Sequence, residues 1–569
     1  MLKAISFVLL LVSVSSCAHS QSVVRGPIVG GVTDSSARVL IVANAGLPVA
    51  LEYSTNADFS SDLKRSTAFT SDPVSHSFLT FDLQQLKPAT TYYLRPVLNG
   101  SSANFASARS FTTFPRSRQD TSFTFAFGSC QLEQIAVRRS NIWKQLRALD
   151  PLLFIQMGDW TYPDRAIAPT FASTDSLIAK SYLNKYDPAQ GIDSVLAHRA
   201  LDYVYDDHDY AGNNTDGTFA DKAKSIAGYE AYAPHYDLPH PDDGIYHTFT
   251  VGNVQFFVLD LRSERSPDGE VIHQNGSTYS WTPPAGHSIL RGTHKNGEDQ
   301  LRWLENALLA SQARWKVIIS TVTWSAAGKA NVPLLVAFAN IKHNPARLYD
   351  AADTWAGFAD DQDSIINFIR KYQITNVVVC SADLHTAMMD DGKNSGFPEI
   401  VSGNLEVPNS NVYGQLDSLG FGWMWDRGGQ IHDSLNTYGR ITVETTPVHR
   451  LHCEIVNERD SIISSMYVGD STSHSNVFMP LTQFPPFGVK VLSNQGADIL
   501  ASASLEERTV GEIYIADALG REVKRVADGP IEPGVWKFKL SFPQLPSGNY
   551  FFVLHAKDQK WTAPFHVIH

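Results

Sequence analysis

Between Ser122 and Asp470, short apolar runs alternate with helix-period stretches, and three of the runs end directly on metal-ligating residue types. Phe123, Phe125 and Phe127 alternate with small residues and stop at Gly128-Ser129-Cys130. Leu152 to Met157 reads as a buried strand ending at Gly158-Asp159, with Tyr162 three residues on. Val377 to Ser381 ends in Asp383-Leu384-His385. Further strands are predicted over Val254 to Asp260 and Trp315 to Thr321, and helices over Gln134 to Leu149 and Glu298 to Leu309, the latter with Leu301, Leu304 and Leu308 on one face. Such alternation predicts an α/β core over 122–470, with helices covering a sheet.

In open α/β sheets, ligands bind outside the carboxyl ends of the strands. A fourth polar cluster, DDHDYAGNN (Asp206 to Asn214), follows the run Leu201 to Tyr205. One aspartate after a strand is ordinarily a cap or turn residue. Four such clusters at strand ends point instead to one shared site. Thiolate and phenolate are anionic when metal-bound, so Cys130 and Tyr162 with Asp and His suit a highly charged transition metal such as ferric iron. Asp207, Asn214 and a shared Asp159 form an oxygen-rich set that suits Ca²⁺, Mg²⁺ or Mn²⁺. Two metals sharing a carboxylate are equipped to hydrolyse phosphate esters.

Gly128-Ser129-Cys130, Gly158-Asp159-Trp160-Thr161-Tyr162, DDHDYAGNN, Leu259-Asp260-Leu261-Arg262 and Asp383-Leu384-His385 resemble the ordered motifs of PhoD-like alkaline phosphatases and phosphodiesterases. That family belongs to the calcineurin-like metallophosphoesterases, and Gly297 to Leu304 also matches its pattern. The resemblance spans about Val23 to Val456. It implies a four-layer α+β sandwich core, with Fe³⁺ held by Cys130, Asp159, Tyr162, Asp383 and His385. It also implies Ca²⁺, or Mg²⁺ or Mn²⁺ in its place, held by Asp159, Asp207 and Asn214, with Asn213 and Asp206 as alternatives. His208 would stabilise the transition state or protonate the leaving group. Arg262 would clamp phosphate, or else pair with Asp260 or Glu264. The implied activity is hydrolysis of phosphate mono- or diesters by in-line attack of a metal-bridging hydroxide. The alternatives are a phospholipase-like phosphodiesterase and a non-catalytic surface binding protein with a degenerate core. One departure is Ala382, where the family usually has Gly; a positive φ there would strain alanine.

The flanks read differently. Residues 23–115 are β-patterned, and Leu86 to Tyr93 resembles the strand entry of a fibronectin type III sandwich, where a tyrosine hydroxyl closes the corner. Residues 487–569 read as a second β-sandwich, and Ile513 to Val523 with Leu545 to Phe551 resembles type IX secretion sorting domains; a simple accessory sandwich is the alternative. At the N-terminus, Lys3 and an apolar run to Val14 precede Ser15-Ser16-Cys17. This predicts a signal peptide over 1–17 of lipoprotein type, with ordinary cleavage near Ala18 or Ser20 as the alternative. The chain is therefore expected to be exported, to the periplasm, outer membrane or cell surface or as a secreted protein, touching membrane only through a lipid anchor. With 58 acidic against 46 basic residues, nucleic acid is an unsuitable partner; a phosphate ester substrate and a monomer are expected. Cys380 and Cys453 read as core thiols, and Trp324, His287 and His294 as packing or surface residues.

Overall fold

A computed structural model describes residues 23–567 apart from 45, 47, 73–76, 103–108, 133–140, 293–297, 326–327, 408–434, 470–487, 496–497, 506–508, 518–519, 532–533 and 557–558. The expected signal peptide, Cys17, His294 and the linker over 471–486 lie outside the described residues. So does the start of the helix expected from Gln134; its described part, Ile142–Leu149, buries Ile142, Trp143 and Leu146 and ends at Asp150 in the left-handed conformation.

Two mixed sheets face each other. The first has nine strands in the order Ile462–Gly469, Arg450–Asn457, Thr437–Glu444, Phe123–Gly128, Leu153–Gln156, Ala200–Tyr203, Val23–Gly30, Ala37–Ala43 and Phe78–Leu83. The second has six, ordered His247–Val251, Val254–Val258, Trp315–Ile319, Val377–Ser381, Pro398–Ser402 and Ala387–Asp391. Strands buried on both faces need apolar residues at nearly every position, and Leu153–Gln156, Trp315–Ile319 and Val377–Ser381 are buried throughout. Between the sheets, Phe125 meets Phe256 edge to face at 5.0 Å. Cys380 and Cys453 are free, fully buried members of the same core.

Helices close the two outer faces. Trp143 packs edge-on against Phe154 on the first sheet. On the second, Leu301, Leu304 and Leu308 of helix Gln300–Ala310 join Ile365, Ile366 and Ile369 of helix Ala359–Lys371 over Phe257, Ile318 and Val379. Asp299 caps the first of these helices by accepting from Arg302 N–H at 2.8 Å. The result is the expected helix–sheet–sheet–helix order. Among the described residues, no helix is long and apolar enough to cross a membrane.

The N-terminal β segment joins the core sheet. Val23–Gly30 runs parallel to Ala200–Tyr203, with Gly30 opposite Leu201. Ala37–Ala43 and Phe78–Leu83 continue the sheet outward. Pro48–Ser54 and Thr91–Leu98 belong to a separate sheet. Thus residue 115 is a boundary in the chain but not in the hydrogen-bonded sheet. At the corner, Tyr92 hydroxyl accepts from Lys87 N–H at 2.9 Å. The C-terminal strands form sheets of three and four strands around a core that includes Ile513, Ile515, Phe538, Phe552 and Phe565.

Candidate metal centre

The strand ends converge at one edge of the first sheet. Phe123–Gly128, Leu153–Gln156 and Ala200–Tyr203 are mutually parallel, so their carboxyl ends deliver Cys130, Asp159 and the Asp206 cluster together. Gly158, at φ +89°, makes the approach feasible: a Cβ there would lie 2.4 Å from Cβ of Asp206. The turns that follow are tight. Cys130, Asp159, Thr161, Tyr162, Asn214, Asp383 and His385 all have positive φ. Non-glycine residues adopt such angles only where the surroundings enforce them, and they concentrate at functional sites. Ala382 is not among them. The expected strain at that position is absent, because the left-handed turn falls on Asp383 and His385 instead.

Two groups of ligand atoms form, and Asp159 belongs to both. One comprises Cys130, Asp159 and His385, and the other Asp159, Asp207 and His208; within each, one ligand atom per residue lies within 4.8 Å of the others. Cys130 Sγ is 3.6 Å from Asp159 Oδ2, and Tyr162 hydroxyl is 2.9 Å from His385 Nε2. Burial, then the charges of Asp207 and Asp206, push the Asp159 carboxyl well up. Burial and neighbouring Asp159 likewise raise Cys130 and Tyr162. Burial and the charge of His208 hold His385 down to about 4, leaving its imidazole neutral with a lone pair to give. A buried set of acidic groups that resist ionising together, beside a neutral imidazole, is a donor set that a cation completes. The residues present therefore fit a pair of metal ions sharing Asp159.

Two expected ligands are placed differently. Asn214 reaches Asp207 through its backbone N–H at 2.7 Å, while its carboxamide donates to Asp268 at 2.8 Å and accepts from Asn213. Asp383 meets Cys130 through its backbone carbonyl, 3.5 Å from Sγ. Its carboxyl is raised by burial and by Asp353, Asp206 and Asp207, against the pull of Arg262.

Arg262 requires a correction. Its guanidinium is fully buried, with Nε on Asp206 Oδ1 at 2.5 Å and the two terminal nitrogens on Asp353 at 2.8 and 3.3 Å. A guanidinium spent in this way is not a free phosphate clamp. Nor does it pair with Asp260 or Glu264 through its side chain: Asp260 accepts only its backbone N–H, at 3.0 Å. Asp260 also accepts from Tyr205, Ile245 and Ser263, and its backbone is bonded in both directions to the Gln300 side chain. The Leu259–Arg262 motif and the Gln300 side chain thus brace the site from outside.

The DDHDY cluster divides its labour. Asp209 accepts from Tyr203, Asp159 N–H, Trp160 N–H and Asp206 N–H, which fixes the turn. His208 Nδ1 lies 2.8 Å from Asp164, and its Nε2 lies 3.3 Å from Arg165. Burial opposes the charged imidazole, yet Asp164 and Asp207 outweigh it and raise the His208 pKa. Arg165 is exposed and lies over the Tyr162 ring at 5.1 Å. Neither Asp164 nor Arg165 stood out in the sequence, though both follow Tyr162 within one helical turn, Pro163–Ala166. Trp324 packs on Trp355, and His287 stacks on Phe358, both as packing residues.

Comparison with known proteins places these features in a family. A curated relative, alkaline phosphatase D of Bacillus subtilis (strain 168), is 25% identical over 368 residues, covering 60% of this chain and 58% of that protein. The chain thus matches less than two thirds of that relative's length. Among solved structures, PhoD superposes with a TM-score of 0.55 at 18% identity, over 77% of this chain and 91% of that one. Purple acid phosphatase PPD1 from yellow lupin (Lupinus luteus) seeds superposes at 0.50 with 12% identity, over 79% and 75%. Both likenesses establish a metallophosphoesterase fold. Residues 125–418, more than half of the chain, match the sequence model of the PhoD-like phosphatase, and the chain belongs to that family.

Proposed function

We propose that this chain is a metal-dependent phosphoesterase acting on phosphate mono- or diesters, with Fe³⁺ and Ca²⁺ as its metals. The observation that carries the reading is Asp159, shared between Cys130 and His385 on one side and Asp207 on the other at the carboxyl edge of the sheet. The chemistry that a metal pair supplies at such a site is Lewis acidity: neutralisation of phosphoryl charge and acidification of a water. Cys130, Asp159, Tyr162 and His385 would hold the iron, and Asp159 with Asp207 the calcium; Asp383 and Asn214 complete the sets in the family pattern. His208 sits on Asp164 as a positioned acid whose raised pKa suits proton donation to the leaving ester oxygen. Exposed Arg165, beside His208 Nε2, takes the phosphate-contacting role that Arg262 cannot fill. Export behind a signal peptide at 1–17, a fibronectin III-like module at 23–115 and a C-terminal sorting or accessory sandwich at 487–569 belong to the same reading.

The test is turnover of a chromogenic phosphate monoester and diester by the full chain, with added Ca²⁺ and with a chelator, alongside metal analysis. The expected result is turnover that the chelator abolishes, Asp159→Ala and Cys130→Ala inactive but folded, and visible colour from thiolate and phenolate on ferric iron. Chelator-insensitive turnover would refute the metal mechanism. A protein without iron, calcium or turnover would refute the enzyme.

A further inference from the structure

At the opposite end of the same strands lies a second cluster of titratable side chains. Asp150 precedes Leu153–Gln156 and Arg199 immediately precedes Ala200–Tyr203, whereas the candidate metal ligands follow these strands. Four residues of strand span about 13 Å, so the two sites are separated by the sheet itself. Here Ser110, Leu146, Arg147, Asp150, His198 and Arg199 line a cavity of about 240 Å³.

Its charges do not cancel. Arg109 is paired with Asp193 at 2.9 Å, and Arg199 with Asp150. Arg147 donates to the Ser194 carbonyl at 2.7 Å and has no carboxylate partner among the described residues. Buried donor capacity is also left over. His198 Nδ1 sits 3.2 Å from Ser110 hydroxyl, but its Nε2 has no hydrogen-bond partner, and neither has Arg199 Nε. Burial and then the charge of Arg147 lower both His198 and Arg199. Three guanidiniums and an imidazole thus share two carboxylates, Asp150 and Asp193. A guanidinium without a carboxylate among the described residues, a second guanidinium and an imidazole around one small cavity have the chemistry that recognises a tetrahedral oxyanion.

We propose that this cavity is a second anion site, remote from the metal centre, that binds a small free oxyanion such as inorganic phosphate or sulfate. Its volume lies below the roughly 300 Å³ at which pockets for drug-sized ligands begin, which favours a free oxyanion over a larger ester.

Calorimetric titration of the metal-loaded full chain with inorganic sulfate tests this, using Asp159→Ala to separate the two sites. Sulfate should still bind Asp159→Ala, in which the metal centre is disabled, and adding Arg147→Gln to that variant should weaken it about tenfold, near 1.4 kcal/mol. Arg147 is exposed, so Arg147→Gln should keep its circular dichroism and its turnover; His198→Ala should weaken binding in the same direction. No sulfate binding to wild type would overturn the proposal, as would binding unaffected by Arg147→Gln or lost in Asp159→Ala. Glycerol 3-phosphate binding Asp159→Ala more tightly than inorganic phosphate would overturn the free-oxyanion assignment.

Discussion

Arg262 offers the sharpest test of how the site is held, because a bracing residue and a phosphate clamp respond differently to removal. Arg262→Ala deletes a fully buried cation that bonds Asp206 at 2.5 Å and Asp353 at 2.8 Å. Asp353 keeps a second partner, since Arg265 Nη2 reaches it at 2.7 Å. Asp206 keeps only the hydroxyl of Thr321, at 2.9 Å, and the hydrogen bonds of its own turn. One buried carboxylate is therefore left without a counter-charge. Breaking a buried pair in this way costs about 3–5 kcal/mol. At roughly 2 °C per kcal/mol for a domain of this size, the melting temperature should fall by about 6–10 °C. Arg262→Lys should recover little, because an ammonium cannot span both carboxylates as the planar fork does. The assay is thermal unfolding together with kcat and KM for a chromogenic phosphate ester. A bracing Arg262 gives a large stability loss and, in the fraction that folds, a KM within about twofold of wild type. A variant of unchanged stability whose KM rises tenfold or more would show that Arg262 leaves its carboxylates to hold substrate.

Three further outcomes follow from other contacts. Asp164→Asn removes the carboxylate that raises His208, so kcat should fall about 10²-fold, and the pH profile should lose activity at lower pH on its alkaline side. An unmoved alkaline limb would exclude His208 as the acid. His247 and Asp202, both buried and 3.0 Å apart, form a pair in which Asp202 outweighs burial and raises the His247 pKa. Its stabilisation is complete below the ordinary histidine value of about 6.5 and is lost as pH rises through the higher folded value; urea midpoints at pH about 6 and 9 should show a drop that His247→Gln abolishes. Tyr92→Phe removes the hydroxyl that accepts from Lys87 N–H and should cost about 1 kcal/mol with turnover unchanged.

Local chemistry made part of this molecule legible and tertiary pairing hid the rest. The apolar runs at Leu153, Trp315 and Val377 are strands because only a twice-covered sheet can bury residues continuously. The convergence of Cys130, Asp159, Asp207 and His385 follows from strand direction, which periodicity and family motifs together suggest. The partner of Arg262 was not legible, because Asp353 lies 91 residues away on helix Ala346–Asp353. A nearby acidic residue was the natural local candidate, yet backbone N–H groups and hydroxyls already occupy Asp260. Asn214 reads as a ligand by position, but Asp268 takes its carboxamide. The Arg147 cavity has no motif at all, since its residues come from three separate parts of the chain.

The backbone between the two groups of ligands carries its own prediction. Thr161 is β-branched, fully buried and held at φ +73°, and its hydroxyl has no hydrogen-bond partner. The left-handed region costs a residue with a Cβ about 1–2 kcal/mol, and an orphaned buried hydroxyl costs about as much again. Against this, Thr161→Gly loses roughly 1.6 kcal/mol for the burial of Cβ and the methyl and about 0.5–1 kcal/mol in added chain entropy. The balance favours the glycine by roughly 0.7 kcal/mol, readable as a higher urea midpoint in chelator. Activity should move the other way. Thr161 joins Trp160 to Tyr162 and pairs across to Leu132 in the short ladder whose two strands directly follow Cys130 and Asp159, so a freer residue there loosens the thiol, carboxylate and phenol at once. A stabilised variant with reduced kcat is the signature of strain kept for geometry. A destabilised variant would mean that Thr161 is held by packing alone and that its left-handed turn stores nothing.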